Sequence, residues 1–309
     1  MKQLIAFELL SFLIAALSGS ANAQGCSDAG FCTAGALQHN IKDSLEQSSV
    51  GLSLTSGAGE QGVAILILQV EWKQQLHHSW DVEIKLPYYV ANGSLGTHSG
   101  PGDPIITATR SWGSKREWET FATIGARFSL TDAGASDSKG RALPMPYQQG
   151  LGTTDLICGL SAQYRHWLFL SAGYQQPIVQ YNSNGYLNQA MPLEEPEYNA
   201  YFDSRKLVRR ADVLFRLEGS FTRRHWMLSA GPLLIYHLGK DKITDLSGQE
   251  NSISGSEGLT LNLAAKLDYA TVRSHWELGC GTPFIVREMR PDGLTREWVL
   301  ALRYKYILR

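Results

Sequence analysis

Past its first two dozen residues, the chain has no apolar stretch near the 18 or so residues that a membrane helix needs. The longest run is VAILILQV at 63–70, which excludes a bundle of spanning helices. An excess of one charge is missing as well. Lys and Arg total 28 against 29 Asp and Glu, a net charge of −1, so there is no basic footprint for nucleic acid. Cysteine is scarce: Cys26, Cys32, Cys158 and Cys280 are all there is. No His stands at ligand spacing beside the close pair, so a metal centre is not expected. No phosphate loop or cofactor motif occurs, and no cofactor is expected.

What the chain does have is glycine (30 residues), aromatics (10%) and an exported-protein start. Residues 1–23 carry Lys2, an apolar core over Leu9–Leu17 and the small-residue site Ala21-Asn22-Ala23. This is the layout of a secretory signal cleaved after Ala23. Export leads to an oxidising compartment, where Cys26 and Cys32 in GCSDAGFC are expected to form a disulfide. Cys158 and Cys280 lie in strand-like runs and read as small apolar residues.

The remainder alternates in polarity with period two. In WDVEIKLPYYV, Trp80, Val82, Ile84, Leu86, Tyr88 and Val90 share one face, and Asp81, Glu83 and Lys85 the other. LTLNLAAKLDYA, ADVLFRLEGSF and WVLALRYKYIL repeat the pattern. Period two with one apolar face means β-strand. Twelve such segments are expected, at about 49–56, 63–75, 78–90, 103–112, 117–130, 153–165, 167–181, 208–222, 224–238, 258–272, 274–288 and 296–308. Tight connections (LHHS, GSKRE, RH, TRRH, RSH) alternate with longer ones. That asymmetry predicts an all-β fold, a transmembrane antiparallel up-and-down β-barrel, with short turns on the periplasmic rim and long loops outside. The domain plan is then a signal at 1–23, a periplasmic segment at 24–48 that can enter the lumen as a partial plug, and the barrel at 49–309.

The sequence writes YRHW, RRHW and RSHW at 164–167, 223–226 and 273–276. Each is read as a short turn followed by the first residue of an ascending strand. Trp72, Trp80, Trp112, Trp118, Trp167, Trp226 and Trp276 would form one interfacial ring, and Trp298 would stand at the other end. His77, His78, His166, His225 and His275 would sit in or beside the turns. Arg110 shares its parity with the apolar face, so it would meet lipid unless a slip or bulge turned it inward. Pro87, Pro177, Pro232 and Pro283 fall inside strands, where bulges or kinks are expected in the upper wall.

The opposite parity gives the lumen-lining candidates. They are Glu71, Lys73, Asp81, Glu83, Lys85, Glu117, Glu119, Arg127, Asp155, Arg165, Asp212, Arg216, Glu218, Lys266, Asp268, Glu277, Arg287, Arg303 and Lys305. Their mixed signs suit either cross-strand ion pairs in a closed lumen or a polar channel lining. Catalysis has thin support. His98, Ser99, Ser183 and Asn184 read as loop-tip residues, with nothing to fix a base beside a nucleophile.

LPYYVANGSLGTHSGPGDPIITATRSW at 86–112 resembles a signature of the phenol-degradation meta-pathway transporter-like family of outer-membrane barrels. GLGTTDLICGLSAQYRHWLFLSAGYQQPIVQYNSNGY at 150–186, and the CSDAGFC pair, resemble barrels of Bacteroidetes-type bacteria. The resemblance implies passage of small, often hydrophobic or aromatic, solutes. It assigns structural roles to the junctions Gly102–Asp103 and Gly152–Asp155. The expected partners are outer-membrane lipids, an unidentified small solute and, during insertion, the barrel-assembly machinery. The rival expectation is a non-transporting barrel whose loops at 131–152 and 182–207 bind a partner.

Overall fold

The computed structural model describes residues 31–38, 48–77, 79–113, 117–191, 195–294 and 297–308 (residues 31 and 77 by their backbone only). The signal segment, Cys26 and His78 lie outside the described residues. Fifteen strands are present among them: β1 (Ser49–Ala58), β2 (Ala64–His77), β3 (Trp80–Gly93), β4 (Gly96–Pro101), β5 (Ile105–Gly113), β6 (Trp118–Arg127), β7 (Thr153–Tyr164), β8 (Leu168–Gln180), β9 (Asp212–Arg223), β10 (Trp226–His237), β11 (Lys242–Thr244), β12 (Glu250–Ser252), β13 (Gly258–Ala270), β14 (Ser274–Ile285) and β15 (Trp298–Ile307). Twelve of them form a closed antiparallel barrel in the order β1-β2-β3-β5-β6-β7-β8-β9-β10-β13-β14-β15. The seam between β15 and β1 runs unbroken from Ser49↔Ile307 to Ala58↔Trp298. Closure gives every strand two hydrogen-bonded neighbours, which a hydrocarbon surround requires. β11 and β12 form a small hairpin in a long loop.

The twelve expected segments correspond to the twelve wall strands. β4 is additional: the 96–101 stretch, expected as a loop tip, is a strand paired to the upper half of β3 (Tyr88↔Pro101 to Gly93↔Gly96). The lower half of β3 pairs with β5 instead (Trp80↔Arg110 to Lys85↔Ile105). Pro87, which has no N–H to donate, falls where one partner gives way to the other. Two other prolines also mark irregularities: the β7–β8 register shifts beside Pro177 and the β13–β14 register beside Pro283. Pro232 sits opposite Leu263 without a register shift.

The two faces of the wall differ as the pleat demands. Val50, Leu52, Leu54, Leu66, Leu68, Val70, Leu217 and Leu302 point outward and are exposed. All eight tryptophans are between 40% and 53% exposed, on the outer surface. Trp72, Trp80, Trp112, Trp118, Trp167, Trp226 and Trp276 lie at the short-turn rim, and Trp298 lies at the long-loop rim opposite Ala58. Tyrosines on adjacent strands brace three of them, with ring centroids 5.0 Å apart for Trp118–Tyr164, 4.7 Å for Trp226–Tyr269 and 4.5 Å for Trp276–Tyr304. Arg110 stays on the outer face without a slip. Its guanidinium lies 5.6 Å from the Trp80 ring centroid, at the rim, where a cation over an indole can reach water.

The long loops fold into a lid. Val63, Ile65, Ile67, Ala91 and Leu95 of the upper wall share a core with Leu143, Tyr147, Tyr186, Tyr198 and Tyr201 of the loops. Tyr147 Oη accepts from Leu95 N at 3.1 Å and lies 3.2 Å from Tyr201 Oη. Tyr198 Oη donates to Asp137 Oδ2 at 2.5 Å, and Arg141 joins Asp137 to Glu195. The tyrosines of LPMPYQQ and PEYNAYF are thus inside the lid and are not displayed to solvent.

Candidate functional site: lumen, plug and lid

Residues 31–38 lie inside the barrel as two short 3-10 turns, Phe31–Thr33 and Gly35–Leu37. Cys32, Ala34 and Leu37 pack with Ile105, Ile157, Leu214 and Leu233, apolar residues on the inner wall. The rest of the grip is on main-chain atoms. Gly35 N donates to Glu83 Oε2 at 3.2 Å and Ala36 N to Thr123 Oγ1 at 3.2 Å. Ser161 Oγ donates to Ala36 O at 2.6 Å, Ser171 Oγ to Leu37 O at 3.1 Å and Arg216 Nη2 to Cys32 O at 3.0 Å. Lys85 Nζ holds Thr33 O. Gln38 bridges Glu277 and Arg303. The fit demands glycine at two places. Gly35 has φ +51, and a Cβ there would come 2.5 Å from Thr123 Cγ2. A Cβ on Gly159 would come 2.5 Å from the Leu37 side chain. Cys32 is disulfide-bonded, whereas Cys158 and Cys280 are free.

The inner wall carries most of the predicted charges, and it pairs them. In the half nearer the short turns, Lys73 meets Asp81 (3.5 Å) and Lys85 meets Glu83 (3.6 Å). Glu71 meets Arg303 (3.0 Å) and Lys305 (3.9 Å), while Glu277 meets Arg303 (3.1 Å) and Lys266 (3.7 Å). Arg216 meets Glu218 at 3.0 Å, and Glu119 lies on β6 beside this rim. His275, expected among the turn residues, is buried on β14 with Nε2 2.8 Å from Asp268 Oδ1. It alternates with outward Trp276, so it must face in. Asp268, His275 and Glu277 place ligand-type atoms within 4.8 Å of one another. The Lys266 ammonium, 3.7 Å from both carboxylates, already supplies the positive charge there.

Two of the lumen candidates are corrected. Glu117 and Arg165 are exposed in short turns, joined by Arg165 N donating to Glu117 O at 2.8 Å. Arg165 has φ +51 and stacks over Tyr164. Strand parity does not carry through a turn, which is why extrapolating it misplaced them. Arg287 lies beyond the end of β14 and belongs to the lid.

At the lid base, oppositely charged groups interlock. Arg127 donates to Asp155 Oδ2 at 2.5 Å, and Gln175 Nε2 bonds the same oxygen. Arg209 lies 3.6 Å from Asp155, 3.2 Å from Asp212 and 3.9 Å from Asp292. Arg287 joins Asp292 at 2.8 Å and Asp241 at 3.9 Å, and His237 lies between Asp212 (2.7 Å) and Asp241 (2.8 Å). Burial would push the Asp292 carboxyl up, but Arg287 and Arg209 outweigh it and hold it well below the usual range. Asp103, at its junction, accepts from Leu130 N (3.0 Å) and Leu151 N (3.2 Å). Gly152 sits at φ +66 with the Asn182 backbone 2.7 Å from where a Cβ would be.

Glu60 joins three loops at the lid edge. Its Oε1 accepts from Phe202 N at 3.1 Å, Gln61 Nε2 donates to Ala200 O at 2.8 Å, and Arg290 lies 5.5 Å from the Phe202 ring centroid. Burial pushes the Glu60 carboxyl up to about 7, while the Phe202 amide and Arg290 pull it down and Asp292 adds to the rise. A raised value in the seated state means that burying Glu60 is fully favourable below the ordinary 4.5 and that this stabilisation is lost as pH rises through about 7, because ionisation opposes burial more than the Phe202 amide offsets it. Protease cleavage within 195–207 should therefore accelerate from pH 5 to pH 8 in the native protein, and Glu60→Gln should flatten that dependence.

The serines weighed for catalysis have other neighbours. Ser183 Oγ donates to Asp132 Oδ2 at 2.6 Å, and Ser99 Oγ accepts from Tyr88 Oη at 3.4 Å. Asn184 is buried and bonds Ala133 O and Leu143 O, and His98 lies edge-on to Tyr147.

Between plug and lid the lumen keeps a partly open hollow of ≈ 180 Å³. The hollow is lopsided. The turns of the plug pack mainly toward β5–β8, with Gln38 reaching Glu277 and Arg303, and much of the space lies along β10, β13, β14, β15, β1 and β2, where Ala264, Gly279, Gly281, Ala301, Ser53 and Thr55 are too small to fill it, and along β3 at Tyr89 and Ala91. No sequence signal located this asymmetry, because small residues at lumen parity read as ordinary strand positions.

No family model and no curated protein matches the chain. Solved structures do. An outer membrane channel from Pseudomonas putida F1 is similar with a TM-score of 0.58 at 14% identity, over 85% of this chain and 96% of that one. The NanC porin gives 0.48 at 8% identity over 84% and 99%, and a Pseudomonas aeruginosa FadL homologue gives 0.41 at 12% over 94% and 100%. The first of these likenesses shows a shared closed β-barrel fold.

Proposed function

We propose that this protein is a passive outer-membrane channel for a small solute, narrowed by residues of its own N-terminal segment. The observation that carries the reading is the hollow beside the plug. The plug packs against one side of the lumen, and on the other side small residues leave the hollow unfilled. The apolar outer wall with its rim of tryptophans fits a bilayer setting. The Pseudomonas putida neighbour is a channel, and its likeness here supports the fold that a channel needs. The hydrophobic or aromatic solute class rests on the sequence resemblance to the meta-pathway transporter-like family. It is supported by Ile65, Ile67, Tyr89 and Met145, which line the upper hollow. In this reading the seven rim tryptophans sit at the periplasmic interface. Cys26 pairs with Cys32 and stiffens the plug, and the signal is removed after Ala23. The barrel reaches the membrane through the assembly machinery that inserts such proteins.

The alternative, loops that bind a partner, is disfavoured by the burial of Tyr147, Tyr198 and Tyr201 in the lid. Purified full-length protein in a planar bilayer should give small, discrete conductance steps. Complete silence, both in the native protein and after removal of the plug, would refute the channel.

A further inference from the structure

The side of the lumen that the plug leaves largely uncovered, where Gln38 reaches Glu277 and Arg303, is built like the side that holds it. On the plug side, the two main-chain polar groups of Ala36 each meet a hydroxyl: Thr123 Oγ1 accepts from its N–H and Ser161 Oγ donates to its carbonyl. Glycine at 159 provides the floor beneath Leu37. On the free side, Ala264 and Gly281 face each other across β13 and β14, and Gly279 faces Ala301 across β14 and β15. These four make a shallow groove. At its edge are Ser229, opposite Lys266, and Asn262, opposite Leu233. Ser229 is 1% exposed and Asn262 is 2% exposed. Among the described residues, the Ser229 hydroxyl has no hydrogen-bond partner, and neither does the Asn262 side-chain oxygen. Leaving buried polar groups unpaired is costly, and a ligand that satisfied them would recover that cost.

The charged neighbours offer little to an ion. Lys266 is held by Asp268 and Glu277, Arg303 by Glu71 and Glu277, and Arg216 by Glu218. A charged ligand would have to break a buried pair. A neutral group with both a donor and an acceptor would not. An amide supplies both, and a hollow of ≈ 180 Å³ has room only for small side groups.

We propose that this groove is a second main-chain site, which takes short, uncharged, small-residue peptides or similar amide-bearing solutes. The proposal rests on the channel reading for its route of access and names a solute class for it. It assigns to the free wall the chemistry that the plug already meets on the opposite wall.

The test uses full-length protein in detergent and N-acetyl-trialanine amide as the probe. Sucrose serves as an uncharged, hydroxyl-rich comparator. Calorimetric titration should show saturable binding of the peptide and none of sucrose. Gly279→Leu is a clean disruption, since a Cβ there meets nothing nearer than 3.9 Å. It should weaken binding by at least about tenfold, as should Asn262→Leu. Both variants should retain the thermal transition of the native protein. Equal binding of peptide and sucrose, no peptide binding, or full affinity in both folded variants would each overturn the proposal. A protein that binds the peptide yet stays silent in bilayers keeps the groove and removes the channel. One that conducts without binding the peptide does the reverse.

Discussion

Deleting residues 24–46 should raise single-channel conductance several-fold and leave the barrel closed and folded. The basis is the way the plug is held. Six wall side chains grip its main chain, while its own contribution to the wall is a small apolar cluster around Cys32, Ala34 and Leu37 and the Gln38 side chain between Glu277 and Arg303. Its removal vacates space without cutting a strand. Ser48, whose carbonyl accepts from Leu308 N and whose hydroxyl accepts from Gln75 N, is retained to anchor the first strand. The wall charges that the plug now covers are paired with one another, so the opened lumen gains water and no net charge. Recordings on native and truncated protein in the same lipid would decide it. Unchanged conductance, with the truncated barrel still resistant to cold detergent, would mean that the plug does not limit passage.

Arg209→Met should loosen the lid by about 3–5 kcal/mol, the usual cost of removing one member of a buried ion pair. Arg209 is the largest fully buried side chain among the described residues. It lies within 4 Å of Asp155, Asp212 and Asp292, so its loss strands several carboxylates with fewer positive neighbours. The expected sign is a lid that opens while the wall persists. Proteolysis in the 195–211 region should rise sharply, and the folded barrel should still migrate as a compact species without heating. Acid should imitate the substitution. Asp292 is held below its usual range, so its contribution is present above about pH 4 and is lost as pH falls through its depressed value.

The wall was legible because one rule governs it. Once VEIK or LTLNL is read with period two, every residue is committed to lipid or lumen, and the alternation of short and long connections orients the ends. The rule fails where the chain leaves the pleat. Glu117 and Arg165 were carried into the lumen by extending a parity that the turn had already ended. His275 was grouped with turn histidines because of the RSHW repeat, yet one step along β14 puts it inside beside Asp268. Arg110 needed no slip, since its height at the rim solved a problem that the face alone could not. The lid was beyond reach for another reason: Tyr147, Tyr186, Tyr198 and Tyr201 come from loops with no periodicity, and only the folded mouth brings their hydroxyls together. The hollow is the hardest to foresee, being a deficit of side chain summed over several strands and not a motif.

The first and last strands meet along ten uninterrupted residue pairs, from Ser49↔Ile307 to Ala58↔Trp298. Until the C-terminus has been made, the growing sheet keeps two raw margins able to recruit stray chains. The longest possible loop must then be closed in a single step, and contacts so distant along the chain form slowly. Cyclisation of the wall is therefore a late event that cannot begin from a fragment. Any truncation that removes the final strand should yield aggregation-prone material in place of a smaller pore.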